Sequence, residues 1–248
     1  MEKIYLDDSD YFDRILTVCE GNAEKAIQLN KIYRDILKNI PDYQKCLNQK
    51  SYQPWIDTLS NFIKHTKTLP LQYHGLDSNG RLILSFHLQY LNPGIDSVAT
   101  SVFLLSIAFM EYLHEIEPKL KHNGIIMIAD NKGIGFSHMR VLVSEFQIAK
   151  LFIKYLTEAA SFRTRKVLVY KEVPVTRSIY GLVKGFLSQD VQKMIKFCGN
   201  QKQVISQNLG GQQFLPNFLK EKHNKTKVMH PERDTLIKSL LKALPKFE

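Results

Sequence analysis

Four arrangements in this 248-residue chain have residue types and spacings suited to chemistry. Gly133-x-Gly135 follows an apolar run and opens toward a helix, as a dinucleotide-binding turn does. The third glycine is missing and no acidic residue stands where a ribose hydroxyl would need one, so a Rossmann enzyme is not supported. His114, His122 and His138 lack HExxH or equivalent ligand spacing, which argues against a metal site. Ser137 and His138 are adjacent, giving neither a nucleophile elbow nor a third group to orient the imidazole. Cys19, Cys46 and Cys198 are far apart, form no CxxC pair and read as reduced thiols of a cytosolic protein. None of the four supports a dinucleotide enzyme, a metal site or a hydrolase, no cofactor is expected, and the charge points to binding.

Charge says what kind of binding. The formal net charge is +10, but residues 1–50 hold eight Lys/Arg against nine Asp/Glu while 150–202 hold eleven against three. The basic face therefore belongs to the second half, where it suits phosphate groups or anionic lipid, each basic residue near such a membrane contributing roughly 1 kcal/mol. No nucleic-acid module accompanies it. The first ten residues are acidic where a signal peptide would be basic and then apolar, and the longest apolar run, 98–110, is short for a bilayer span.

The elements that must position such a surface follow from periodicity. Phe12, Ile15, Leu16 and Cys19, then Ala26, Ile27, Leu29, Ile32, Tyr33, Ile36 and Leu37, recur at helical spacing up to Pro41. Pro54-Trp55 is placed to open a further helix. A Gly/Asp/Asn turn precedes an alternating strand over 82–88, and an apolar helix is expected over 96–116. The run 125–129 reads as a central strand covered on both faces and ending at Asp130, with Ser137 capping one helix that continues toward Tyr155. A third strand is expected over 163–170. Ile179, Leu182, Val183, Phe186 and Leu187 then give one strongly apolar helix face, plainly a core-packed helix, or alternatively the cover of an apolar cavity. Leu236, Ile237, Leu240, Leu241 and Leu244 form a last stripe, expected to dock on the domain, with membrane or partner contact as the alternative. Alternation of strand and helix indicates an α/β fold.

Taken together, HGLDSNGR before a strand, NGIIMIADNKGIGFSHM, VPV followed by GFLSQDVQKMI, and LGGQQF resemble the CRAL-TRIO lipid-transfer family over residues 7–214. The order is most similar to the branch that carries tocopherol and retinaldehyde. The resemblance implies a helical N-terminal unit (1–68), a lipid-binding domain (69–214) whose sheet floors an apolar pocket closed by a mobile gate helix at 175–187, and a basic tail with an amphipathic helix (215–248). It implies non-catalytic transfer of a small hydrophobic ligand, such as a tocopherol, retinoid or carotenoid, between membranes, by a cytoplasmic protein that meets membrane transiently. No oligomeric state is specified.

Carried over residue by residue, the resemblance places Phe103, Ser106, Met110, Ile125, Ala129, Leu142, Phe152, Tyr155, Leu156, Phe162 and Leu168 around the ligand, with Val175, Ile179, Val183 and Phe186 in the gate. It places Arg163, Arg165, Lys166, Lys184, Lys193 and Lys196 at the membrane. Some positions depart from the family pattern. Lys171-Glu172-Val173-Pro174 stands where an Asn-x-Pro segment is usual, Lys184-Gly185-Phe186-Leu187 replaces K-P-F-L, and Arg163 takes the place of the glutamate of the phosphatidylinositol-carrying branch. Phe103, Phe152, Tyr155 and Phe162 suit either an open cavity or one filled by their own rings, so an adaptor or lipid-sensing module on the same fold is the alternative function.

Overall fold

The computed structural model describes residues 9–116, 123–160, 162–220 and 231–246. Among these, the strands β1 (Leu71–Leu76), β2 (Leu82–His87), β3 (Ile125–Asp130), β4 (Thr164–Tyr170) and β5 (Ile195–Gly199) form one sheet in sequence order. β1 and β2 are an antiparallel hairpin and the other pairs are parallel. The α/β architecture matches expectation, while the edge strands β1 and β5 are additions to the three strands expected. The hairpin turn explains the HGLDSNGR motif. Asp77 accepts from the backbone N–H groups of Asn79 and Arg81 and from the Arg81 guanidinium, which also donates to the Asn208 carbonyl.

Side chains alternate across a strand, so register decides which residues share a face. Leu84, Met127, Val167 and Ile195 lie in one row across the sheet, and Phe86, Ala129, Val169 and Phe197 in the next. This apolar front face meets α5 (Val98–Ile116), α6 (Phe136–Ser144), α7 (Phe146–Lys154) and α8 (Pro174–Lys184). The back face carries Ile83, Ile126, Ile128 and Leu168, which pack against Ile205 and Leu209 of α10 (Lys202–Leu209) and against Leu219. Gly124, before β3, has φ +82°, and a Cβ there would lie 2.3 Å from the Arg163 carbonyl, so only glycine lets that turn pass β4.

α5 is apolar all round, and it is long and hydrophobic enough by composition to cross a membrane, yet 78% of that window is buried inside the fold. Against it lie the N-terminal helices α1 (Ser9–Val18), α2 (Ala23–Lys38), α3 (Tyr43–Gln49) and α4 (Gln53–His65), all within one core cluster. α11 (Arg233–Ala243) docks as expected: Leu236 and Leu240 are fully buried, whereas Leu241 is exposed. Tyr33 and Tyr52 hydroxyls donate to the Ala243 and Pro245 carbonyls, tying the end of that helix to α2 and to the start of α4. The lysine-rich stretch of the tail over 221–228 lies outside the described residues, as does His122.

The single helix expected from Ser137 to Tyr155 is two. α6 ends at Glu145, whose carboxylate accepts from the Ala99 N–H at the start of α5, and α7 begins at the next residue. A carboxylate on the orphan donors of a helix N-terminus is favourable, and this tertiary tie stops the first helix and aims the second across α5. Burial pushes the Glu145 carboxyl above its ordinary value, only partly offset by the backbone N–H groups around Ala99. Ser137 is not the cap. Gly135 stands at that position, with its N–H donating to His138 Nδ1 at 3.2 Å. α7 runs into a π-helical turn, Tyr155–Ala159.

Candidate functional site

An apolar pocket of about 170 Å³ lies where the end of β2, the first half of α5, and α6, α7 and α8 converge. Phe86 contributes from the floor, Val98 and Val102 from α5, Val141 and Leu142 from α6, Ala149 and Phe152 from α7, and Ile179 from α8. The break at Glu145 is what lets α6 and α7 line two walls of the same space. α8 begins at Pro174, where the missing N–H costs nothing, and the N–H of Val173 donates to the Thr176 hydroxyl. Glu172 pairs with Arg177 at 2.7 Å, which gives the charged departure from the family pattern a local role. Gly185 has φ −64°, a conformation open to any residue, so its substitution for proline is not required by the backbone.

Of the ligand residues expected from sequence, Leu142, Phe152 and Ile179 line this pocket. Phe103, Met110, Ile125, Tyr155 and Phe162 are core residues, at most 2% exposed. Phe103 packs on Phe152 and Tyr155 with ring centroids 5.8 and 5.4 Å apart, and Phe162 stacks on His114 at 3.9 Å. Ser106 is buried and donates to the Val102 carbonyl at 2.7 Å, which satisfies its hydroxyl within α5. Leu156 is partly buried against the same core, Ala129 lies in the floor row, and Val175 is partly buried on α8. Leu168 is a correction: it points to the back face and packs on α10, because β4 is in register with β3 such that 167 and 169, not 168, look forward.

Val183 and Phe186 line a second, more polar groove of about 470 Å³ between α7 and the end of α8, with Lys150 and Lys154 on its rim. Phe186 is also exposed, as are Phe136, Val143 and Leu182, Phe136 by 86%. The Lys150 ammonium sits 4.1 Å from the centre of the Phe186 ring, and Phe146 packs edge-on against the same ring. Lys184 and Lys193 are exposed near this apolar surface, Lys193 in a solvent-facing pair with Asp190. Arg163 is exposed and pairs with Glu20 at 3.6 Å, and Arg165 donates to the Asn123 carbonyl. Lys166 and Lys196 correct the expectation of one basic face. Lys166 donates to Asn208 of α10 and Lys196 shares a row with Leu168, so both belong to the side of the sheet away from α8.

A buried polar chain that the sequence did not announce crosses the back face. His74 Nε2 lies 2.7 Å from Ser85 Oγ, Ser85 Oγ 2.7 Å from His87 Nε2, and His87 Nδ1 3.2 Å from Asp130 Oδ2. Atom for atom this order matches a serine hydrolase relay, yet Ser85 is 0% exposed, held between two imidazoles, and Phe218 lies edge-on against His87. Its role is to satisfy cross-strand polar groups. Burial pushes the Asp130 carboxyl up, but the hydrogen bond from His87, the Lys132 N–H and the charges of His87 and Lys171 outweigh it and leave the pKa below the ordinary value. Among the described residues no group of three or more His, Cys, Asp or Glu side chains is disposed to hold a metal ion.

A solved structure titled "Crystal structure of Sfh5" is similar to this chain at 14% identity, covering 95% of this chain and 81% of that one with a TM-score of 0.44. The family model described as the CRAL/TRIO domain matches residues 66–225, which take in the whole sheet, the pocket and α8. With most of its length matched and the expected α/β fold in place, this chain belongs to the CRAL/TRIO domain family.

Proposed function

We propose that the chain binds one small hydrophobic molecule beneath α8 and releases it at an anionic membrane, without catalysis, as a cytoplasmic protein that visits membrane transiently. Lipid binding is the general property of the family. The finer reading, a cargo of the tocopherol, retinoid or carotenoid kind, rests on the motif resemblance. The observation that carries the proposal is the two-sided character of α8 and its end: Ile179 closes the apolar pocket from within, while Leu182 on the same helix is 47% exposed and Phe186, just past its last turn, 57%. A helix apolar on both sides can trade its inner contacts for lipid, so a membrane need only favour the open one of two states. Lys184, Lys193, Arg163 and Arg165 supply the attraction, with Lys150 added and Lys166 and Lys196 removed from the set first expected. The domain at 69–214 is the binding unit, with 1–68 and 215–248 as its supports.

A volume of about 170 Å³ is below the roughly 300–1,000 Å³ of sites that enclose a whole drug-sized ligand. The pocket as it stands fits one end of a cargo, and α8 must swing outward to admit the rest. The same volume favours a second reading, an interaction module whose cavity is filled by its own aromatic rings. Native mass spectrometry of the purified chain, followed by organic extraction, decides between them. A stoichiometric apolar molecule establishes the carrier. An empty chain that also refuses tocopherol, retinoids, sterols and phospholipids in exchange assays establishes the module.

A further inference from the structure

Among the described residues, His138 contributes the one hydrogen-bonding side chain to the lining of the apolar pocket, the rest being Phe, Leu, Ile, Val, Ala and Pro. Its two ring nitrogens are in different situations. Nδ1 accepts from the Gly135 N–H at 3.2 Å, and a ring nitrogen that accepts carries no proton, so Nε2 is the donor. Nε2 is buried and has no hydrogen-bond partner among the described residues. A buried donor left unsatisfied is costly, and rare enough in folded proteins to call for a reason. The cap at the start of α6 uses only the other nitrogen, so it does not supply that reason.

We infer that His138 Nε2–H is the polar recognition point of the pocket, and that the cargo is an oxygen-bearing hydrophobe whose carbonyl, ester or hydroxyl oxygen accepts that hydrogen bond. The inference rests on the proposed binding beneath α8 and narrows its ligand class. A hydrocarbon end would leave the donor orphaned, whereas an acceptor oxygen on a compact end group satisfies it. The size agrees: an apolar cavity of about 150 Å³ holds a benzene ring, so this pocket accommodates a six-membered ring with a small oxygenated substituent. Because His138 sits on the first turn of α6, the turn that also carries exposed Phe136, the polar end of the cargo is held at the wall nearest the exposed apolar surface.

The test uses acetophenone and α-methylstyrene, which have the same shape and differ by an oxygen in place of a methylene. Both are titrated into the full chain while long-range ¹H–¹⁵N spectra follow the histidine ring nitrogens. The Nε2 resonance of His138 is expected to move with acetophenone and to stay nearly still with α-methylstyrene. The ratio of the two dissociation constants is expected to shift by about tenfold against the ketone in His138→Phe, a ratio that cancels the different hydration of the two probes. Equal shifts with both probes, or an unchanged ratio, overturns the recognition role while leaving the pocket as a ligand site. Binding of neither probe overturns the pocket itself and the proposal built on it. The spectra of the unaltered protein keep the test decisive even where the variant folds poorly.

Discussion

Arg14 on α1 donates to Glu111 on α5, fastening the first helix to the long central one. The Glu111 side chain is 2% exposed and that of Arg14 15%, so the pair is held largely out of water. Glu111 Oε1 has no hydrogen-bond partner among the described residues, which leaves the guanidinium as the main compensation for the charge. Burial pushes the Glu111 carboxyl up, the Arg14 charge and hydrogen bond pull it back, and the balance stays above the ordinary value. Removing one partner of such a pair costs about 3–5 kcal/mol, and in a chain of this size about 2–4 °C of Tm accompanies each kcal/mol. Arg14→Met is therefore expected to lose about 6–20 °C at neutral pH. A carboxyl whose pKa is raised by folding binds more protons in the native state than in the unfolded one between the two values. Stability then falls as pH rises from the ordinary carboxylate value, near 4.3, through the raised one. Loss of Arg14 raises the native value further, so the defect of the variant shrinks on acidification. Glu111→Gln added to Arg14→Met removes the charge and is expected to restore more than half of the loss. Urea unfolding followed by circular dichroism at pH 5 and pH 7.5 measures all three proteins. An Arg14→Met chain within 1 kcal/mol of the unaltered protein at pH 7.5, or a defect that Glu111→Gln does not relieve, refutes this account.

Leu182→Glu with Phe186→Glu is expected to reduce sedimentation with phosphatidylserine vesicles at least tenfold and to leave Tm nearly unchanged, since both side chains are already exposed; unchanged sedimentation sinks the outer-face argument. Leu236→Ala, at a fully buried position on α11, is expected to cost about 2–5 kcal/mol in chemical unfolding, and a cost below 1 kcal/mol would show that α11 is not held on the core. The lowered pKa of Asp130 contributes stability that is present above the ordinary carboxylate value, near 3.9, and is lost as pH falls through the folded value below it. Asp130→Asn is thus expected to cost about 2 kcal/mol at pH 7 and almost nothing near pH 2, and an equal cost at both would place its effect in packing rather than charge.

The elements legible in the sequence were those with long, one-sided patterns: α2, α5, α8 and α11, and the apolar strands β2, β3 and β4. β1 escaped because LQYHGL mixes polar residues and a glycine into six positions, as an edge strand can, and β5 because IKFCG is five residues long with a lysine second. The split between α6 and α7 was illegible because its cause, Glu145 on the N–H of Ala99, is a contact between residues 46 apart in the chain. The site was read less well than the fold for a related reason. Whether Phe103 lines a cavity or fills one depends on packing rather than residue type, and whether Leu168 looks forward or back depends on register, where one step reverses every side chain. His138 was visible only as a candidate metal ligand and as a candidate partner of Ser137. Its significance needed the apolar lining and the Gly135 bond to be seen together.

The position of α8 between β4 and β5 constrains how the roof can move. β5 follows α9 (Gln189–Met194) without an intervening loop and is locked in register against β4, the strand from which the chain left for α8. The crossover 171–194 is thus a strap fastened at both ends to adjacent strands. Such a strap can bow outward but cannot be carried away, and the entropy lost on closing it again is small because its ends never separate. Each unloading leaves the cover poised over its own seat, so a cycle of release and reloading needs no refolding, only a bend.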